Sequence, residues 1–164
     1  MQEKVDRIIS KGREFLGIPY DPWNPEVSLY GDKGPFWSFN GPAPGFLAVK
    51  KGLLNCVGFI NVLRRELGLE IPGAAEQSFY AGGTYEWYVY LDSRKKLQPF
   101  KEGVNYPRGS LLLRKFHSQA DDGHLAILTG KNTVLHSIRD HGVCQTELWK
   151  GYYDAVCLPE DWLQ

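Results

Sequence analysis

Between residues 110 and 158 five short apolar runs follow one another, and this succession constrains the fold more than any other feature of the chain. The runs are Ser110–Arg114, His124–Thr129, Thr133–Ile138, Val143–Leu148 and Asp154–Leu158. Turn-forming residues punctuate them at Asp121-Asp122-Gly123, Gly130-Lys131-Asn132 and Asp140-His141-Gly142. Parallel strands need crossover connections of a dozen residues or more, so runs joined this closely pair antiparallel.

The first half of the chain reads differently. Val5, Ile8, Ile9, Phe15 and Leu16 recur at helical spacing, and Gly17 stops that run. A second helix is expected from Asn55, a good N-cap, to a C-cap at Gly68. Cys56, Ile60, Leu63 and Leu67 share one of its faces. Helices first and an antiparallel sheet second predict the α+β class, in one domain spanning residues 1–164. Residues 74–96 mix helical and loop signals around Gly82-Gly83.

From Gly17 to Gly52 the chain holds six Pro and six Gly, and the expectation over about 21–51 is a long irregular loop. Its aromatic rings must lie against something, either as a cover over the first helix or as a wall of a substrate groove. The anchors of this loop flank Tyr20 and Cys56. The groove-wall expectation names Trp23, Phe36 and Trp37 as substrate-binding residues.

Charge excludes one class of function. Lys plus Arg is 19, Asp plus Glu is 19, and no basic block interrupts that balance. Nucleic-acid binding, which needs a basic footprint, is not expected. No run of about 18 apolar residues offers a membrane span. The opening MQEKVDRIISKGREF lacks the apolar stretch of a secretory signal, and three irregularly spaced cysteines do not suggest a disulfide scaffold. A cytoplasmic or virion-associated location is the expectation.

The chemistry centres on Cys56. A cysteine in the first turn of a helix gains thiolate character from the helix dipole and the N–H groups around it. Those N–H groups are also suited to holding an oxyanion. Taken singly, Cys56 also reads as a small buried core residue. A thiolate nucleophile needs a base, and His124 opens a strand directly after a Gly-containing turn. His136 lies on the next strand. A hairpin loop with an odd number of residues, such as 130–132, puts 124 and 136 on one face; a two-residue turn puts them on opposite faces. On one face, His136 could orient the His124 imidazole.

The run Leu54-Asn55-Cys56-Val57-Gly58-Phe59-Ile60 resembles the nucleophile motif of NlpC-type, papain-like cysteine peptidases, in which Asp-Cys-Ser-Gly-aliphatic opens the central helix. Gly17-Ile18-Pro19-Tyr20 is similar to that family's Gly-x-Pro-Tyr segment. Leu69-Glu70-Ile71-Pro72 and residues Gln77 to Gly83 are similar to the stretch after the nucleophile helix. Pro107 to Leu112 resembles its Pro-Gly-Asp-Leu strand start, Gly123 to Ile127 its Gly-His-Val-Gly-Ile, and Leu135-His136-Ser137 the strand with the third polar residue.

The resemblance implies a papain-like NlpC-type fold, with the nucleophile helix packed on an antiparallel sheet of about five strands. It further implies Cys56 as nucleophile, His124 as base, His136 as orienter and Tyr20 as an accessory donor. The activity implied is hydrolysis of an amide in a small peptide, for instance a cell-wall stem peptide, with no cofactor. Asn55 stands where the family has Asp, Val57 where it has Ser, and Ser110 where it has Asp. These departures suggest a divergent intracellular or virus-encoded relative. An acyltransferase, deamidase or thioesterase would share the acyl-enzyme step, and a non-catalytic binding protein could keep the fold. A zinc module built on His136, His141 and Cys144, with His117 or His124 as fourth ligand, is the non-enzymatic alternative.

Overall fold

The computed structural model describes residues 1–22, 36–38, 40–73, 82–117 and 123–164, with position 36 described in its backbone only. Helix α1 spans Gln2–Glu14 and buries Val5, Ile8, Ile9 and Gly12, a stripe spaced i, i+3, i+4, i+7. Gly12 is where α1 comes closest to its neighbours. A Cβ there would stand 2.6 Å from Leu135 and 3.0 Å from Phe59.

Helix α2, Phe46–Gly52, corrects the expectation of continuous loop over 21–51. The apolar run Phe-Leu-Ala-Val is too short to declare a period, and the Gly and Pro around it hide a helix of seven residues. A 3-10 turn at Phe36–Ser38 interrupts the same stretch.

Helix α3, Cys56–Glu66, begins and ends as its sequence predicts. Gly58 N–H donates to the Asn55 side chain at 2.7 Å. At the other end Gly68 takes φ +70°, and its N–H and that of Leu69 close onto Arg65 and Arg64 carbonyls. Every residue from Cys56 to Arg64 is buried, not only the predicted face. Trp37 packs over Gly58, α1 over Phe59, and helix α4 (Thr84–Ser93) sends Trp87 Nε1–H to Asn61 Oδ1 at 2.7 Å. A helix enclosed on all sides is central to the fold.

Among the described residues six strands form one antiparallel sheet: β1 Gln98–Pro99, β2 Leu111–Arg114, β3 His124–Gly130, β4 Thr133–Ile138, β5 Gly142–Glu147 and β6 Ala155–Cys157. Their spatial order is β1-β6-β2-β3-β4-β5. The sheet thus has one strand beyond the expected five. That strand is two residues at an edge and includes a proline, which gives no periodic signal. A short helix α5, Pro159–Trp162, follows.

Both faces of the sheet are covered. Leu111, Leu113, Leu125, Ile127 and Leu135 meet α1 and α3 in the main core. Leu112, Ala126, Leu128, Val134 and Val156 form a second core with Tyr153, flanked by Phe100, Tyr106, Trp149 and Tyr152. That is why Leu111-Leu112-Leu113 is continuous rather than alternating. Among the described residues, no helix is long and apolar enough to cross a membrane.

Candidate active site

The relative position of His124 and His136 is decided by one residue of register. The β3–β4 turn holds only Lys131 and Asn132, and Gly130 faces Thr133 across it. Carried on regularly, that pairing would put the two histidines on opposite faces. The register instead shifts between Leu128 and Gly130, so Leu128 faces Val134 and Ile127 faces Leu135. The bulge adds one residue to β3, and turn plus bulge act as the odd-numbered loop that a shared face requires. Thr129 sits in the bulge and bonds back to Thr133, hydroxyl to hydroxyl at 3.0 Å.

On that shared face His124 Nε2 lies 2.9 Å from His136 Nδ1. The second nitrogen of His136, Nε2, lies 3.1 Å from Thr146 Oγ1 on β5. Thr146 donates in turn to the Glu147 carbonyl at 3.0 Å. The other nitrogen of His124, Nδ1, stands outside this chain of bonds.

Cys56 is 6% exposed, and its Sγ lies 3.9 Å from the carbonyl of Gly123, the residue bonded to His124. Gly123 has no room for a side chain: a Cβ would meet Thr84 at 2.6 Å and the Arg114 carbonyl at 3.0 Å. The start of α3 is tied to the strand that carries His136, because Ser137 Oγ donates to the Leu54 carbonyl at 2.7 Å. The same stretch is held from the other side, Leu54 N–H donating to the Pro19 carbonyl at 3.3 Å. Residues 17–18 pair with Val143 on β5 through two backbone bonds of 2.8 and 2.9 Å. Gly142 permits that approach, with φ +64° and the Ile18 carbonyl 2.0 Å from where a Cβ would stand. The half-buried Tyr20 therefore follows a segment clamped between β5 and the residues leading to Cys56.

Trp37 is fully buried with its ring over Gly58, so it braces the first turn of α3 and offers no surface to a solvent-borne substrate. Trp23 and the side chain of Phe36 lie outside the described residues.

Sequence reasoning missed Thr146, Ser137 and an aromatic cover. The link from β5 to β6 must pass four strand spacings, about 19 Å at ~4.8 Å each. Seven residues, 148–154, make that crossing, with a turn at 150–152 in which Gly151 takes φ +65°. Residues 148–154 lay Trp149 over His136 at 4.9 Å and His124 at 5.7 Å between centroids, with Tyr152 at 5.8 Å and Tyr153 at 6.3 Å from His124. The run Trp-Lys-Gly-Tyr-Tyr is the only sequence hint of that cover.

This enclosure sets the charge of the site. Burial, with the His136 ring beside it, pushes His124 down to about 3, and burial pushes His136 down to about 4. Both rings are neutral at neutral pH. An unfolded chain protonates histidine near pH 6.5, so between about 6.5 and 4 the unfolded state binds protons that the folded state refuses. Their contribution to stability is complete above about pH 6.5 and is lost as the pH falls through 4 and 3. The melting temperature should therefore drop across that interval, and a His136→Asn variant should drop less steeply. Parallel curves for the two proteins would refute the assignment.

The other thiols are unlike Cys56 in position. Burial pushes Cys157 up to about 12 and raises Cys144 as well, and neither opens a helix. Among the described residues no three His, Cys, Asp or Glu side chains converge as a metal site would require. Both nitrogens of His136 are engaged, and His141 is exposed in a turn, so the zinc constellation is not assembled.

No family model and no curated protein matches the sequence. Solved structures do. The P60 domain of an antigen from M. avium subspecies paratuberculosis superposes with a TM-score of 0.54 at 16% identity, covering 96% of each chain. The fold is that of an NlpC/p60 domain. The NlpC/p60 domain of the peptidoglycan hydrolase SagA gives 0.52 at 17% identity, covering 93% of this chain and 97% of its own. RipD from Mycobacterium tuberculosis, described as a non-catalytic NlpC/p60 domain adapted to peptidoglycan binding, gives 0.54 at 16%, covering 94% and 95%. The NlpC/p60 fold thus carries both hydrolysis and binding without catalysis, and the side chains of the site must decide between them.

Proposed function

We propose that this chain is a divergent NlpC/p60 cysteine hydrolase that cleaves an amide bond in a small peptide, with a cell-wall stem peptide as the leading substrate. The observation that supports it is the 2.9 Å bond between His124 Nε2 and His136 Nδ1, on a strand whose preceding residue, Gly123, has its carbonyl 3.9 Å from the Cys56 thiol at the start of a capped, central helix.

In this reading Cys56 Sγ attacks the carbonyl carbon and its proton passes to His124 Nδ1. N–H groups of the first turn of α3 hold the oxyanion, and Tyr20 assists. Collapse breaks the C–N bond as His124 gives its proton to the leaving amine, and a thioester remains on Cys56. Water, deprotonated by His124, then attacks the thioester, releasing the acid and restoring the thiol. Because His124 is neutral at rest, it acts as a general base during attack rather than as one half of a standing ion pair. The three substrate-binding aromatics proposed from the sequence, Trp23, Phe36 and Trp37, reduce to the first two as candidates for direct contact.

The test is incubation with defined stem-peptide fragments, read by mass spectrometry, beside iodoacetamide labelling of the three cysteines. The expected result is amide cleavage that Cys56→Ala abolishes, with Cys56 alkylated faster than Cys144 and Cys157. Retained cleavage in Cys56→Ala would sink the mechanism. Tight binding with no cleavage and a sluggish Cys56 would establish the competing reading, a binding domain like RipD.

A further inference from the structure

We infer that Thr146 is a positioning residue that sets the tautomers of both histidines and thereby leaves His124 able to act as a base. The inference rests on the hydrolase reading for its consequence, but not for its geometry. A threonine hydroxyl has one proton. Thr146 Oγ1 lies 3.0 Å from the Glu147 carbonyl, which can only accept, so the proton goes there. Toward His136 Nε2, at 3.1 Å, the hydroxyl can then only accept. His136 must carry its proton on Nε2, and its Nδ1 is a bare lone pair.

That lone pair faces His124 Nε2 at 2.9 Å. Two lone pairs cannot face each other in a buried site without loss of a hydrogen bond, so His124 carries its proton on Nε2. His124 Nδ1 is left unprotonated, in the state that can take the Cys56 proton. The polarity runs one way along the chain: Cys56 thiol, His124, His136, Thr146, Glu147 carbonyl.

Reversing the first link shows why Thr146 matters. If Thr146 donated to His136, the His136 proton would move to Nδ1 and face His124 Nε2. His124 would then accept at Nε2 and hold its own proton on Nδ1, and Nδ1 could not take a proton from the thiol. A neutral third residue lacks the charge by which a carboxylate imposes its tautomer. The Glu147 carbonyl, acting through one hydroxyl, supplies that direction here. Thr146 sits diagonally from His136 across the β4–β5 ladder, in which Cys144 faces His136 and Thr146 faces Val134. Only the strand pairing brings it into reach.

The experiment is 15N–1H long-range correlation of the histidine rings at neutral pH, in the wild type and in Thr146→Val and Thr146→Ser, beside the rate of Cys56 alkylation by iodoacetamide. In the wild type both His124 and His136 should show a protonated Nε2 and a bare Nδ1. Thr146→Val, a β-branched isostere, should lose the single tautomer of His136 and slow Cys56 alkylation roughly 10- to 100-fold, the usual range for outer partners of a reactive group. Thr146→Ser should restore both. A wild-type His124 protonated on Nδ1 would overturn the inference, without need of any variant. So would a Thr146→Val protein with unchanged tautomers and an alkylation rate within about twofold of wild type. Expected tautomers in a protein that cleaves no peptide would leave this inference standing and remove the hydrolase reading.

Discussion

Replacing His124 by Ala should reduce kcat/KM for peptide cleavage by about 10²–10⁴, the range contributed by a positioned acid–base group. The loss should fall on kcat, because in the proposed mechanism His124 acts on the proton rather than on substrate affinity. In the proposed mechanism His124 Nδ1 is the nitrogen that the His136–Thr146 chain leaves to take the thiol proton. His136→Ala should cost less, roughly 10- to 100-fold, since it removes an orienting partner and not the proton acceptor. The ring deleted in His124→Ala sits between Trp149, Tyr152 and Tyr153, whose packing should preserve an imidazole-sized hole. Added imidazole should therefore restore part of the activity of His124→Ala and none of that of Cys56→Ala. Full activity in His124→Ala, against a substrate that Cys56→Ala no longer cleaves, would show that another base serves the thiol.

The largest effect on stability is expected far from the thiol, at Arg64. This arginine is 2% exposed, midway through the hydrophobic environment of α3. Its guanidinium donates to the Glu70 carbonyl at 2.5 Å, to the Trp162 carbonyl, to Tyr90 Oη at 3.1 Å and to the Gln164 carbonyl at 3.3 Å. It also lies over the rings of Trp87 and Tyr90 at 5.3 and 5.5 Å. Burial lowers its pKa, yet an arginine starts so high that the charge persists. No carboxylate partners it among these contacts; carbonyl dipoles and aromatic faces do.

Arg64→Leu would fill most of the volume but leave carbonyls of Glu70 and Trp162 without a donor. At about 1–3 kcal/mol for a buried carbonyl left unsatisfied, as that of Trp162 would be, a loss of ~2–3 kcal/mol is expected. Urea denaturation followed by tryptophan fluorescence would measure it, and the native emission should also shift because Trp87 and Trp162 both border the site. A loss below about 1 kcal/mol, ordinary for a surface position, would show that Arg64 is dispensable. In the sequence Arg64-Arg65 looks like the solvated end of a helix, and nothing local marks the first of the pair as buried.

That contrast separates what each level of description decides. The sequence alone determines where α3 starts and stops, because a cap is a bond over a few residues: Asn55 to Gly58 at one end, Gly68 and Leu69 closing on Arg65 and Arg64 at the other. It determines four of the strands nearly to the residue, since alternation and turn residues act within a few positions. It also nominates Cys56, His124 and His136, through their place in those elements and their resemblance to a motif. It does not determine that the two histidines share a face. That depends on the bulge at Thr129, a balance between turn geometry and the register that buries Ile127, Leu128, Val134 and Leu135 together. Nor does it determine that Thr146 caps His136, that Trp149 and Tyr152 cover both rings, or that Arg64 is interior. Each of those facts joins residues 10 to 100 positions apart. Capping and periodicity are energies of neighbours along the chain; enclosure is an energy of neighbours in space, and it exists only once the sheet order has closed.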